Sequence, residues 1–273
     1  MATGKNGLSL LLKTFSKTPW YISPDYLESF LRVFNDKLTN HTIQNLDSMT
    51  AKSQEVEDTL YQEFDNLALF QINGILVQKA SYLDSLCGFV SYSEISKKLS
   101  QCSKDNIGFI WNCPGGDASG VHELAEQVFS LRQSKFTFSL NESTMASAAY
   151  YIGSACDKVY VSDVINHTGC IGTVMCHVDQ SKFDAKEGYS YTYIKTGEFK
   201  TLGNPHSPLK ENELALLQAD VDLCTEQFIN SIAKYRNLSN IEQIKTGRTF
   251  AAEDALKLGL IDGIKTLQEI INT

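Results

Sequence analysis

The chain has 273 residues, 42% of them hydrophobic and 10% aromatic, which suits one large α/β domain, or one with an appendage, and argues against disorder. Its formal net charge of −8 argues against nucleic acid as the main ligand, because phosphate binding needs clustered cations. Apolar runs such as Leu10-Leu11-Leu12 fall far short of the ~20 residues a helix needs to cross a bilayer, and the patch after Lys5 is too short for a signal peptide. A soluble, cytoplasmic protein is expected.

Residues 7–16 are compatible with a short helix. Ser23-Pro24-Asp25 is a helix start, with a capping serine, proline in the first turn and an early acid. Leu27, Phe30, Leu31 and Phe34 then recur at helical spacing. Residues 39–60 are polar without a clear period and read as a linker or loosely held helical arm. The expected division is an N-terminal arm and linker over 1–66 and a core domain over 67–273.

Leu67 to Val77 is apolar and β-rich, with Asn73-Gly74 as a turn or bulge. A helix is predicted over 92–102 after Ser91, then a buried strand over Ile107–Trp111. Helix 118–133 carries Val121, Leu124, Ala125, Val128 and Leu131 on one face. A strand over Phe136–Leu140 leads to a helix starting near Met145, and Val159–Val161 is again a strand. Further strands are predicted at Ile171–Val178 and Ser190–Ile194, with a helix between them. The last third is helical, over 209–235 and then near 239–246, 251–258 and 266–272. The β-α alternation implies a mainly parallel sheet covered by helices.

Seven cysteines occur, an odd number without a C-x-x-C pair, and reduced, buried thiols are the simplest reading. Cys176-His177 has no second cluster at ligand spacing, so no metal is expected. No other cofactor is expected.

Three pieces bear on chemistry. In Asn112-Cys113-Pro114-Gly115-Gly116-Asp117, a Gly pair between strand and helix lets backbone N–H groups face a ligand, as an oxyanion hole requires; taken alone it is an ordinary strand–helix turn. Ser147, among alanines in Met145-Ala146-Ser147-Ala148-Ala149, falls at a predicted helix start, where the Ala148 N–H is a second candidate donor; alone it is a small residue suited to packing. Lys200 follows Thr196-Gly197, and acts as a base only if its pKa falls from ~10.4 toward neutrality. Most lysines are simply solvated. A Ser-His-Asp triad is the obvious rival, but no G-x-S-x-G elbow is present, and none of His41, His122, His167, His177 and His206 lies in a triad context. Cys113 as a nucleophile is less favoured than Cys113 as a buried structural thiol. Together the pieces point to a serine hydrolase with lysine as base.

From about Leu67 to Thr266 the chain resembles the signal peptide peptidase A / protease IV family of serine peptidases, and within it the phage head-maturation (capsid assembly) proteases. The matching stretches are 112–121, 145–151, Gly169-Cys170-Ile171-Gly172, 177–181, Gly197-Glu198-Phe199-Lys200 before Gly203-Asn204-Pro205-His206, and Gly247-Arg248-Thr249-Phe250. The resemblance implies a Clp-protease/crotonase-like fold, an α/β core in layers with spiral β-α turns, a helical C-terminal part and a helical N-terminal arm. It implies Ser147 as nucleophile, Lys200 as general base, and Gly116 and Ala148 as the oxyanion hole. A polypeptide substrate, cleaved through an acyl-enzyme, and a homo-oligomer follow from the same resemblance. The family usually places serine where this chain has Cys170, and that hydroxyl helps orient the lysine. A thiol is a weak hydrogen-bond partner, so either another group holds Lys200 or activity is reduced. No N-terminal anchor of the cellular members is apparent, which favours the phage type. The alternatives are a soluble cellular peptidase for signal-peptide remnants, a non-catalytic assembly factor of the same fold, and, more weakly, an acyl-CoA crotonase, for which no CoA-phosphate site is apparent.

Overall fold

The computed structural model describes residues 19–22, 60–80 and 88–272. The helices expected over 7–16 and from Ser23 therefore lie outside the described residues.

The first motif is a strand–strand–helix unit. Strand β3 (Leu67–Asn73) and the short β4 (Ile75–Val77) are joined by Gly74 at φ 121°, and helix α1 (Tyr92–Gln101) follows. Ser91 caps α1 by accepting from the Glu94 N–H, as its sequence position predicts. The unit recurs as β6 (Asn106–Cys113), β7 (Gly115–Asp117) and α2 (Val121–Leu131). Strand β8 (Phe136–Ala146) then leads into α3 (Ala148–Gly153).

Strands β3, β6 and β8 are neighbours in parallel, and β8 also carries β9 (Lys158–Val161) and β10 (His167–Gly169), both parallel to it. The N-terminal half of β8 pairs with β9 and its last residues with β10. The register between β6 and β8 shifts between Trp111 and Cys113, a bulge that bends the end of β8 just before Ser147. Antiparallel edges are added by β2 (Tyr61–Glu63) on β3 and by β11 (Thr249–Phe250) on β10. Strand β12 (Gly263–Ile264) extends β9 in parallel. A smaller sheet has the order β1-β7-β4-β5, where β1 is Trp20–Ile22 and β5 is Phe89–Ser91.

The β6 strand is buried on both faces, which is why it reads as one apolar run. Ile107, Phe109 and Trp111 enter the main core beneath α1, α2 and α3, whereas Ile110 joins a second cluster with Phe138 and Leu140. The buried Trp111 indole N–H donates to Ser139 Oγ at 2.7 Å, so the polar position in β8 is satisfied. The long helix α5 (Glu211–Tyr235) follows α4 (Ser181–Lys186) and buries Phe228 and Ile232 against the core. Short helices α6 (Ile241–Ile244), α7 (Ala252–Lys257) and α8 (Leu267–Ile271) close the chain.

The layered α/β core with a mainly parallel sheet and repeated β-α turns is thus the observed architecture, with the helical C-terminal part expected. Residues 20–22 and 60–63, ahead of the expected boundary at residue 67, are built into this body; residues 1–18 and 23–59 of the expected arm lie outside the described residues. Two expected strands are not formed. Residues 171–178 make a single antiparallel bridge, Val174 to Trp20, and 190–194 forms no ladder. In the latter segment Ile194 is fully exposed and Tyr191 and Tyr193 are nearly half exposed. No helix among the described residues is long and apolar enough to cross a membrane.

Candidate active site

Ser147 stands at the junction of β8 and α3, with φ 54° and ψ −115°. Only one other non-glycine among the described residues, Cys170 at φ 56°, has a positive φ. Such a conformation costs on the order of 1–3 kcal/mol and persists because its surroundings hold it. Here the Ser147 N–H donates to the Gly169 carbonyl at 2.7 Å, and the Tyr151 N–H donates to the Ser147 carbonyl at 2.8 Å. A sharp strand-to-helix turn of this kind is what a nucleophile elbow provides, although Met145 and Ala149 stand where G-x-S-x-G has its glycines. Ser147 is buried, and its Oγ has no hydrogen-bond partner. An unpaired buried hydroxyl is costly and calls for a reason.

Gly115 faces this serine, and Gly116 abuts Leu76 of β4. A methyl group placed on Gly115 would meet Ser147 Cβ at 3.0 Å and the Tyr21 carbonyl oxygen at 2.0 Å, and Gly115 has φ 114°. A methyl on Gly116 would meet the Leu76 carbonyl oxygen at 1.9 Å. The glycines are therefore required by close backbone approach on both sides of β7. Ala148 is buried and opens α3, a position whose N–H has no partner within the helix.

Strand β1 runs antiparallel to β7, with Trp20 opposite Asp117, Tyr21 opposite Gly116 and Ile22 opposite Gly115. The Ala118 N–H donates to the Pro19 carbonyl. In that register the next hydrogen-bonded pair is Tyr21 with Gly116, which directs the Tyr21 carbonyl at the Gly116 N–H. The other edge of β1 bonds Val174 in both directions, Trp20 N–H to Val174 carbonyl at 2.8 Å and Val174 N–H to Trp20 carbonyl at 2.9 Å. The Tyr21 ring is buried edge-on to Phe228 and Tyr151, and its hydroxyl donates to the Cys224 carbonyl at 2.6 Å. Burial, and next the nearby Cys224 and Tyr151, raise the Tyr21 phenol above its ordinary range, so it stays a donor. Sequence reasoning missed this strand.

The remaining candidates are placed as follows. Lys200 is exposed in a 3₁₀ turn, Glu198–Thr201, and is not in hydrogen-bond contact with Ser147 in this state. That turn is held by Lys195, whose Nζ donates to the Glu198 carbonyl at 2.6 Å and Thr201 Oγ1 at 2.7 Å. Cys170 is buried, its N–H donates to the Arg248 carbonyl, and burial pushes its thiol up to about 11. Cys113 is pushed up to about 12 by burial, only partly offset by the N–H groups of Gly115 and Leu76, so at neutral pH it is a thiol rather than a nucleophilic thiolate. Burial also raises the Asp117 carboxyl, against hydrogen bonds from Ser119. None of His122, His167, His177 and His206 touches Ser147, and His41 lies outside the described residues. A His–Asp pair does exist: His206 Nδ1 lies 2.8 Å from Asp184 Oδ2, with the imidazole stacked on Tyr191. His206 ends one of the stretches that carry the resemblance whereas Asp184 lies in none, and the pair braces the 177–206 segment.

The family model for peptidase family S49 matches residues 131–273. The chain belongs to peptidase family S49. This S49 chain is 27% identical over 207 residues to capsid assembly protease C of Escherichia phage lambda, covering 74% of the chain and 47% of that protein. It is 27% identical over 218 residues to head-tail preconnector protein GP5 of Enterobacteria phage P21, covering 78% and 43%. With a putative signal peptide peptidase SppA of Enterococcus faecium it shares 23% identity over 249 residues, covering 87% and 72%. The S49 chain thus spans less than half the length of the two phage relatives. A solved enoyl-CoA hydratase/isomerase family member, 14% identical with a TM-score of 0.43 over 78% of this chain and 70% of that one, is too distant to bear on the chemistry.

Proposed function

We propose that this S49 chain is a serine endopeptidase in which Ser147 is the nucleophile and Lys200 the general base. The observation that carries the reading is the Ser147 elbow, a strained, buried serine whose unpaired hydroxyl stands beside a Gly-Gly strand, in a chain of a peptidase family. Ser147 Oγ attacks the scissile carbonyl as its proton passes to a neutral Lys200 Nζ. The carbonyl oxygen gains charge facing the N–H groups of Gly116 and Ala148. The C–N bond breaks, Lys200 returns the proton to the leaving amine, and water hydrolyses the acyl-enzyme. This requires Lys200 to reach about 2.6–3.2 Å from Ser147 Oγ, and hence the 190–205 segment to close over the site.

The proposed substrate is scaffold or capsid protein during phage head assembly, in the host cytoplasm or the prohead, a role in keeping with the names of the two phage relatives. A homo-oligomer is proposed as the closing agent, supported by exposed Tyr189, Tyr193, Ile194 and Phe199 beside Lys200 in the chain. The test is co-expression with the cognate head proteins. Ser147→Ala and Lys200→Ala each abolish processing; processing by both at wild-type level sinks the reading. Head genes beside the coding sequence would separate this role from a cellular signal-peptide-remnant peptidase.

A second reading, a non-catalytic assembly factor, draws on two observations: Cys170 in place of a lysine-orienting serine, and Lys200 out of contact with Ser147. Its signature is an assembled particle that forms with Ser147→Ala as with wild type, and no fluorophosphonate labelling between pH 6 and 10.

A further inference from the structure

A peptidase must bind its substrate as an extended strand, because only then is the scissile amide exposed, and the usual way is to add that strand to a sheet edge. Beside Ser147 this chain has two such edges facing each other, β7 and the Val174 segment, and the space between them is filled by the chain's own Trp20–Ile22.

The manner of filling is that of a substrate. Pro19 and Tyr21 turn their backbone groups to β7, while Trp20 turns both of its groups to Val174. The Tyr21 carbonyl faces the Gly116 N–H and, with Ser147 Cβ, bounds the one small space that Gly115 leaves open. The side chains alternate accordingly: Tyr21 enters the main core, and Trp20 and Ile22 pack on the opposite side with Ile75 and Phe89. The Tyr21 pocket is specific in chemistry as well as shape. Its walls are the rings of Tyr151 and Phe228, and its floor is the Cys224 carbonyl that accepts the phenol proton.

Resting on the serine-peptidase reading above, we propose that β1 is a tethered occupant of the substrate groove, with Tyr21 in the pocket for the residue that donates the scissile carbonyl. The groove then takes polypeptide segments with a large aromatic residue at that position, tyrosine ahead of phenylalanine because of the Cys224 carbonyl, and only after β1 has left. A tethered strand competes at an effective concentration on the order of mM, so weakening it exposes the site to weaker, untethered ligands.

The experiment measures the rate at which a fluorophosphonate labels Ser147 in the full chain. Trp20→Pro removes the N–H given to Val174, and Tyr21→Ala empties the pocket. Both are expected to label at least about tenfold faster than wild type, with the gain reversed by an added peptide of sequence 18–24. Ser147→Ala is the control that must not label. Folded variants that label no faster than wild type overturn the tethered-occupant proposal and leave the peptidase reading standing. Absence of labelling in every folded form removes both. If the variants do not fold, the wild-type chain decides by hydrogen exchange. Covalent modification of Ser147 by a phosphonate with a tyrosine-like side chain should speed exchange at the Trp20 and Tyr21 amides, and unchanged exchange on a modified chain overturns the proposal.

Discussion

Phe228→Ala probes the joint on which both the fold and the aromatic pocket depend. Phe228 projects from α5, is fully buried, and stacks on Tyr151 of α3 with centroids 4.5 Å apart and planes within 5°. It also meets the Tyr21 ring of β1 edge-on at 5.1 Å. Truncation removes roughly 150 Å² of buried apolar surface, about 4 kcal/mol at ~25 cal/mol per Å². The two ring contacts add ~0.5–1.5 kcal/mol each, and a partial collapse of the cavity recovers some of it. The expected loss is therefore about 4–5 kcal/mol, near the upper part of the usual range for Phe→Ala. At ~2–4 °C per kcal/mol for a domain of this size, the midpoint falls by about 10 °C or more. Urea unfolding followed by tryptophan fluorescence suits the measurement, since both tryptophans, Trp20 and Trp111, are buried in the two sheets. A loss below ~1 kcal/mol with an unchanged urea dependence would mean that α5 is not seated on α3, and the packing account would fail.

Gly116→Ala should be far worse than an ordinary Gly→Ala change, because the new methyl meets the Leu76 backbone at 1.9 Å and must part β4 from β7; loss of soluble protein or a midpoint drop exceeding that of Phe228→Ala is expected. Among the described cysteines, thiol alkylation at pH 8 should mark exposed Cys176 first and leave Cys113 and Cys156, each buried and pushed up to about 12, unmodified until the chain unfolds, as peptide mass mapping would reveal. Glu126 should contribute to the acid limb of stability. Hydrogen bonds from Lys234 and Tyr235 hold its carboxyl below the ordinary value of 4.5, so its contribution is complete above that pH and is lost as the pH falls through the lowered value. Glu126→Gln should flatten the pH dependence of the unfolding midpoint below about pH 4.5 and leave its slope at pH 6–8 unchanged. On the proposed peptidase reading, Cys170→Ser should raise turnover several-fold if a hydroxyl at that site orients Lys200, since a hydrogen bond is worth about 1 kcal/mol; equal turnover would separate Cys170 from the lysine.

The sequence by itself determined the elements with long, unbroken patterns. Ile107–Trp111 is legible because a strand buried on both faces must be apolar throughout, and α2 and α5 because their apolar positions recur at three and four residues. Taken alone, the Gly-Gly turn, Ser147 and Lys200 read as ordinary turn, packing and surface residues, and only the resemblance of the stretches around them singled them out. What the tertiary structure decided are quantities set between distant segments. The two- and three-residue strands β7, β10, β11 and β12 are too short to carry a period. The β-prone Ser190–Ile194 segment forms no ladder, because a strand requires a neighbour as well as a favourable composition. The positive φ of Ser147 is held by Gly169 and accommodated by Gly115, residues 22 and 32 positions away in the chain. Tyr21 finds its carbonyl's partner in Gly116, its hydroxyl's in Cys224 and its backbone neighbour's in Val174. A three-residue strand whose hydrogen-bonding partners lie 93 to 203 positions away leaves no trace in a local pattern, since hydrogen-bond register is a property of the assembled sheet and not of the segment that enters it.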